Sequence, residues 1–168
     1  DVPGCENVMR WLKQHTPKDS PSPTIIHNDY RFDNVVLDPR DNLSIIGVLD
    51  WEMCTIGDPL MDLGSSLAYW VQAGDPPQMQ TLRMQPSHLP GMLTREQIIE
   101  HYSAKTGLTI ANPDFYYVFG LFRLGVIAQQ IYYRWKMGQT KNPRFQAFGL
   151  FVAALASVAE RTIQNSKH

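Results

Sequence analysis

At 168 residues, 43% of them hydrophobic, the chain is long enough to bury the core of one domain, and a domain of this size removes roughly 68–70% of its unfolded surface from water. Its 15 Lys and Arg against 16 Asp and Glu leave no electrostatic footprint for nucleic acid. No apolar run approaches the ~20 residues of a membrane span, no signal peptide opens the chain, and Cys5 and Cys54 form no spacing motif, which fits a reducing, cytoplasmic compartment without disulfides.

In chain order, Val8, Trp11 and Leu12 recur at helical spacing over 7–15, and three prolines between Pro17 and Pro23 end that helix. Thr24-Ile25-Ile26 reads as a short strand. Residues 34–38 and 43–49 read as two further strands joined by the polar turn Pro39-Arg40-Asp41-Asn42. Asp58 suits an N-cap and Pro59 the first helical position of a helix running to Trp70. Gln72 to Leu93, rich in Gly, Pro, Gln and Met, reads as one long loop, and a loop beyond about 15 residues is usually functional or disordered. Thr94-Arg95-Glu96-Gln97 is a capping box for a helix that Gly107 ends. Asn112-Pro113 and Asn142-Pro143 place cap and first-turn residues before two long helices, 113–137 and 143–165.

The chemistry concentrates in His27-Asn28-Asp29-Tyr30-Arg31-Phe32-Asp33-Asn34 and Val48-Leu49-Asp50-Trp51-Glu52. An acid stands five residues ahead of an amide, and a second acid closes a hydrophobic strand. Phosphoryl transfer needs such a set: one carboxylate to position a hydroxyl, and an amide with a second carboxylate to hold magnesium on the phosphates of a nucleotide. Asn34 and Asp50 offer the hard oxygens that Mg²⁺ takes. Singly, each of these residues is more simply a turn former making an Asx bond; order, spacing and strand placement together favour chemistry. Asp62 falls inside an otherwise apolar helix, so its carboxylate needs partners to offset desolvation. The aromatics Phe115, Tyr116, Tyr117, Phe119, Phe122, Tyr132, Tyr133 and Trp135 read first as core, with a few left to line a pocket. The five histidines are scattered and make no zinc site.

The pattern H-x-D-x-x-x-x-N, a hydrophobic strand ending in D-W-E, and then G-D-P-x-x-D-L resembles the aminoglycoside phosphotransferase and choline kinase family, a small-molecule branch of the protein-kinase-like fold. The wording of the motif is especially similar to kinase domains related to those fused to acyl-CoA dehydrogenases. The resemblance implies an α+β fold, mainly helical with a small β-hairpin region around the catalytic loop, corresponding over 1–168 to a C-terminal lobe. It implies Asp29 as catalytic base, Asn34 and Asp50 as magnesium ligands, His27 as a brace of the catalytic loop and Asp62 as the helix acid that ties the loop from beneath. Arg31 and Glu52 are supporting candidates, Arg31 toward phosphate or a neighbouring acid and Glu52 from behind the metal; a surface place suits either as well.

ATP and Mg²⁺ are the implied donor and cofactor, and a small-molecule hydroxyl the implied acceptor. The strand lysine and glycine-rich loop that cover ATP in such kinases do not precede the motif here, and only 26 residues stand before His27. The expectation is therefore a lobe whose N-terminal nucleotide-binding partner lobe is missing from these 168 residues. A hydroxyacyl thioester is one acceptor in view; the helices beyond residue 70 carry no dense acidic cluster of the kind that would favour an aminoglycoside. Two other classes stay open: a non-catalytic kinase-like binding module, and a metal-dependent hydrolase with Asp29, Asp50 and His27 as ligands.

Overall fold

Three helices carry the core, and two small β ladders hang the functional loops on it. The computed structural model describes residues 2, 4–18, 22–41 and 43–167, apart from the side chain of Leu82. Asn42 of the expected turn and residues 19–21 of the proline-containing break lie outside the described residues. The elements are α1 (Cys5–Gln14), β1 (Thr24–Ile26), β2 (Val35–Leu37), β3 (Ile45–Val48), β4 (Thr55–Gly57), α2 (Pro59–Tyr69), α3 (Pro77–Leu82), α4 (Arg95–Thr106), α5 (Pro113–Lys136) and α6 (Phe148–Asn165).

The helix boundaries follow from their caps. Asp58 accepts from the Leu60 N–H at 2.8 Å and Pro59 follows it. Thr94 and Gln97 bond reciprocally, and Gly107 closes α4 in the left-handed region at φ 73°. Asn112 accepts from Phe115 and Asn142 from Arg144. The helix expected over 143–165 opens as a 3₁₀ turn, Pro143–Ala147, before becoming α6.

Leu60, Leu63 and Leu67 of α2, Phe115, Val118, Leu121 and Leu124 of α5, and Phe151, Val152, Leu155 and Ala159 of α6 form one buried cluster, closed at one side by Val8 and Trp11 of α1. Helices α2 and α5 approach until backbone meets backbone. A Cβ on Gly64 would lie 2.1 Å from the Tyr116 carbonyl oxygen, and one on Gly120 would lie 2.0 Å from that of Gly64. Only glycine fits either place.

The ladders are antiparallel. β1 pairs with β4 (Thr24 opposite Gly57, Ile26 opposite Thr55), and β2 pairs with β3 (Val35 opposite Val48) with an irregularity at Val36/Leu37. This register decides the site. β1 feeds directly into His27, and β4 follows directly on Asp50–Cys54, so pairing them lays the two motif segments side by side.

Several expectations need correction. Asn34 ends a 3₁₀ turn, Phe32–Asn34, rather than opening a strand, because it must turn inward. β4 and the 3₁₀ turn Trp51–Met53 carry too few residues to show a period. The segment 72–93 is no featureless loop: it contains α3, and Gln85 and Ser87 are buried in it. Phe115 and Tyr116 are core as expected, whereas Tyr133 is exposed. Finally, Pro143–Asn165 is long and apolar enough to span a membrane by length and mean hydropathy, 1.2 over 18 residues, with 33% of that window buried; its buried face packs against α1, α5 and α3.

Candidate active site

The site is built where β1 ends. His27 and Asn28 turn their main-chain N–H groups onto one carboxylate: His27 N–H donates to Asp62 Oδ2 at 2.7 Å, and Asn28 N–H to Asp62 Oδ1 at 2.8 Å. Asp62 is thus the partner-rich acid its apolar helix required. Asn28 takes φ 66°, a left-handed conformation that Asn tolerates better than most residues. Its side-chain Nδ2 donates to the Met53 carbonyl at 3.0 Å, which ties the first motif segment to the second.

His27 is buried, and both of its ring nitrogens are engaged. Nε2 lies 2.7 Å from the Leu49 carbonyl, which can only accept, and Nδ1 lies 3.1 Å from the Asp29 N–H, which can only donate. The ring is therefore the neutral tautomer protonated at Nε2, with Trp51 packed on it at 4.7 Å between centroids. It braces the loop and has no nitrogen left for a metal, which removes the ligand role required by the hydrolase reading. Among the described residues no three His, Cys, Asp or Glu side chains cluster as a metal cage either.

Asp29 projects from this brace with its side chain 17% exposed. Asn34 is buried beneath it. Its Nδ2 donates to the Asp29 carbonyl at 2.8 Å and to Asp29 Oδ2 at 2.9 Å, so its Oδ1 takes no part in the clamp. Leu49 N–H donates to the Asn34 carbonyl at 2.8 Å, which sets Asp50 beside Asn34. Asp50 itself adopts φ 63°, ψ 53°, makes no cap bond with its side chain and is exposed. A left-handed non-glycine residue costs about 1–2 kcal/mol, and such strain collects at functional sites. An amide oxygen and a free carboxylate suit Mg²⁺, which takes one or two protein oxygens and leaves the rest to water and phosphate.

Arg31 is three-quarters buried, so its surface reading is corrected. Its Nε lies 3.7 Å from Asp29 Oδ2 and its Nη1 3.4 Å from Asp33, and its guanidinium covers the Tyr69 ring at 5.2 Å. Glu52 is exposed in the turn after Asp50 and joins none of these bonds.

Two residues escaped the sequence reading. Burial, then the charge of Asp29 and a hydrogen bond to it, push the Tyr69 phenol up to about 12, so it stays protonated as a donor toward that carboxylate. Gln85 accepts from the Phe32 N–H at 2.8 Å. Tyr69 looked like one more core aromatic at helical spacing, and Gln85 is a polar residue between Met84 and Pro86 with nothing to single it out. A cavity of about 430 Å³ opens beside the loop, lined in part by Tyr30, Arg31, Phe32, Trp70, Gln85 and Ile98.

A sequence profile described as the phosphotransferase enzyme family matches residues 1–95. The mouse protein acyl-CoA dehydrogenase family member 10 is 32% identical over 94% of the chain, and human acyl-CoA dehydrogenase family member 11 is 33% identical over 99% of it. The chain spans only 15% and 21% of those two proteins' lengths. A Ralstonia eutropha crystal structure assigned as an aminoglycoside phosphotransferase superposes on the whole chain with a TM-score of 0.83 at 27% identity; the chain covers 51% of that protein.

Proposed function

The chain belongs to the phosphotransferase enzyme family, and from that premise we propose that it carries the catalytic base and magnesium ligands of an ATP-dependent kinase acting on a small-molecule hydroxyl. The observation that carries the reading is the clamp of Asn34 on Asp29 with Asp50 beside it. A loop built only to turn has no need of a buried amide holding an acid by one arm.

Asp29 accepts the hydroxyl proton of the acceptor as the phosphoryl group arrives, a role that contributes about 10²–10⁴ in rate. Asn34 Nδ2, bonded to Oδ2, fixes the rotamer of Asp29. Tyr69 and Arg31 flank the carboxylate from the protein side. Asn34 and Asp50 would hold Mg²⁺, which would supply charge neutralisation for the transferring phosphoryl group. The glycine-rich loop and strand lysine of such kinases would come from elsewhere in the intact protein.

For the acceptor, the cavity beside Arg31 supports an apolar body carrying a hydroxyl, such as a hydroxyacyl thioester, over an aminoglycoside. Its walls are built from Ile26, Leu63, Leu67, Trp70 and Ile98, apolar contacts that would leave the several amines of an aminoglycoside unpaired.

The test separates base from ligand in the intact protein carrying this chain. Asp29→Asn lowers kcat by about 10²–10⁴ with little change in Mg-nucleotide affinity, whereas Asp50→Asn weakens Mg-nucleotide binding in calorimetry. Equal losses of both kinds from both substitutions would show that the roles are not divided this way.

A further inference from the structure

The segment between α2 and α4 is fastened to the end of α2 along its length. Ser87 Oγ donates to the Val71 carbonyl at 2.9 Å, Trp70 Nε1 to the Leu93 carbonyl at 2.8 Å, and Gln85 Nε2 to the Tyr69 carbonyl at 3.3 Å. Gln85 does something more than its neighbours. Its Oε1 accepts the main-chain N–H of Phe32 at 2.8 Å, across 53 residues of sequence. Phe32 is the first residue of the 3₁₀ turn that ends at Asn34, so its N–H has no partner within the turn and would otherwise be orphaned. Gln85 is 5% exposed, which makes both bonds costly to lose. The Phe32 ring reinforces the arrangement from outside, edge-on to Trp70 at 5.3 Å.

The turn so held is short and carries one functional side chain. A shift of Phe32 moves Asn34, and Asn34 must keep Nδ2 within 2.9 Å of Asp29 while presenting Oδ1 outward. Gln85 also lines the cavity beside the loop, so the same side chain meets the acceptor space on one side and the metal-ligand turn on the other. We propose that Gln85 is a positioning residue: it sets the place of Asn34, and hence the strength of magnesium binding, from a segment that borders the acceptor cavity. This rests on Asn34 being the magnesium ligand proposed above.

The experiment uses two variants of the intact protein, Gln85→Met and Gln85→Glu. Methionine keeps the volume and loses both bonds. A buried carboxyl keeps its proton, so glutamic acid reproduces one donor and one acceptor and should restore what methionine removes. Hydrogen exchange is read on peptides covering 27–37, alongside the Mg²⁺ concentration for half-maximal rate. Loss of one buried hydrogen bond corresponds to about a tenfold change. Gln85→Met should therefore speed exchange at 32–34 about tenfold and raise the Mg²⁺ requirement about five- to tenfold, and Gln85→Glu should reverse both.

Unchanged exchange at 32–34 in a folded Gln85→Met protein would overturn the bridge itself, whether or not any phosphoryl transfer is seen. Faster exchange with an unchanged Mg²⁺ requirement would overturn the link to the metal while leaving the bond intact. If wild type shows no ATP-dependent transfer, the exchange comparison still decides the bridge and the proposed kinase activity alone fails. Should Gln85→Met not fold, Gln85→Glu at wild-type exchange and Mg²⁺ requirement supports the proposal, and Gln85→Glu folded with either parameter displaced overturns it.

Discussion

Both carboxylate oxygens of Asp62 accept main-chain N–H groups, from His27 and Asn28, and the second of these residues is held at φ 66°. Hydrogen bonds to a charged group contribute about 1.5–3 kcal/mol each, enough to hold a left-handed residue that costs about 1–2 kcal/mol. We expect Asp62→Ala to lower the unfolding free energy by about 3 kcal/mol in urea titration and to reduce kcat through the displaced Asp29. A change within 0.5 kcal/mol, the scale of ordinary surface substitutions, would mean the loop is held by something else. The need of Asp62 for partners was legible from the sequence, because a lone acid among Leu60, Leu63 and Leu67 demands them; that the loop supplies them was what the family resemblance implied. His27 was legible only as the loop brace that the family resemblance implies. Tyr69 and Gln85 were not, since their roles depend on which backbone groups the fold leaves unpaired near Asp29 and Phe32.

At the scale of elements, the caps carried most of the foresight. Asp58, Thr94, Gly107 and Asn112 each end or begin a helix where their local chemistry demands. β4, only three residues long, was not visible, because its stability comes from pairing with β1 and from no pattern of its own. The crossing of α2 and α5 was hidden too: Gly64 and Gly120 look like ordinary weak points of two helices until the backbones are seen to touch. Each should resist substitution in a way helix propensity does not foresee. Alanine normally favours a helix by ~1 kcal/mol over glycine. Here Gly64→Ala or Gly120→Ala must push the helices apart or strain the backbone, and overpacking of this kind costs about 1–3 kcal/mol. Thermal unfolding should show a lower Tm for both variants; a higher Tm for either would mean the helices are not in backbone contact at that residue. Gly125, with nothing within 4 Å of the place of its Cβ, is the control and should gain from alanine.

For the molecule as a whole, the core lies on one side of the site and bare apolar surface on the other. Ile25, Ile45, Ile46 and Ile56 of the two ladders are exposed, with Ile56 66% exposed and Ile46 61%, and so is Leu49 just after β3. Exposed apolar side chains gathered on one element mark an interaction site, and here β2 begins directly after Asn34 and β3 ends just before Leu49 and Asp50. The chain spans about half of the Ralstonia eutropha protein it superposes on, and no glycine-rich loop or strand lysine precedes His27 within it. The two facts together lead us to expect that in the intact protein a nucleotide-binding part packs on the ladder face and completes the phosphate site from above. The 168 residues alone should then bind a hydrophobic dye such as ANS strongly and transfer no phosphoryl group from ATP, while the intact protein binds less dye per molecule and does transfer. Dye binding that is equal in the two would mean the ladder face stays open to water, and turnover by the 168 residues alone would mean that Asp29, Asn34 and Asp50 hold Mg-ATP without a covering lobe.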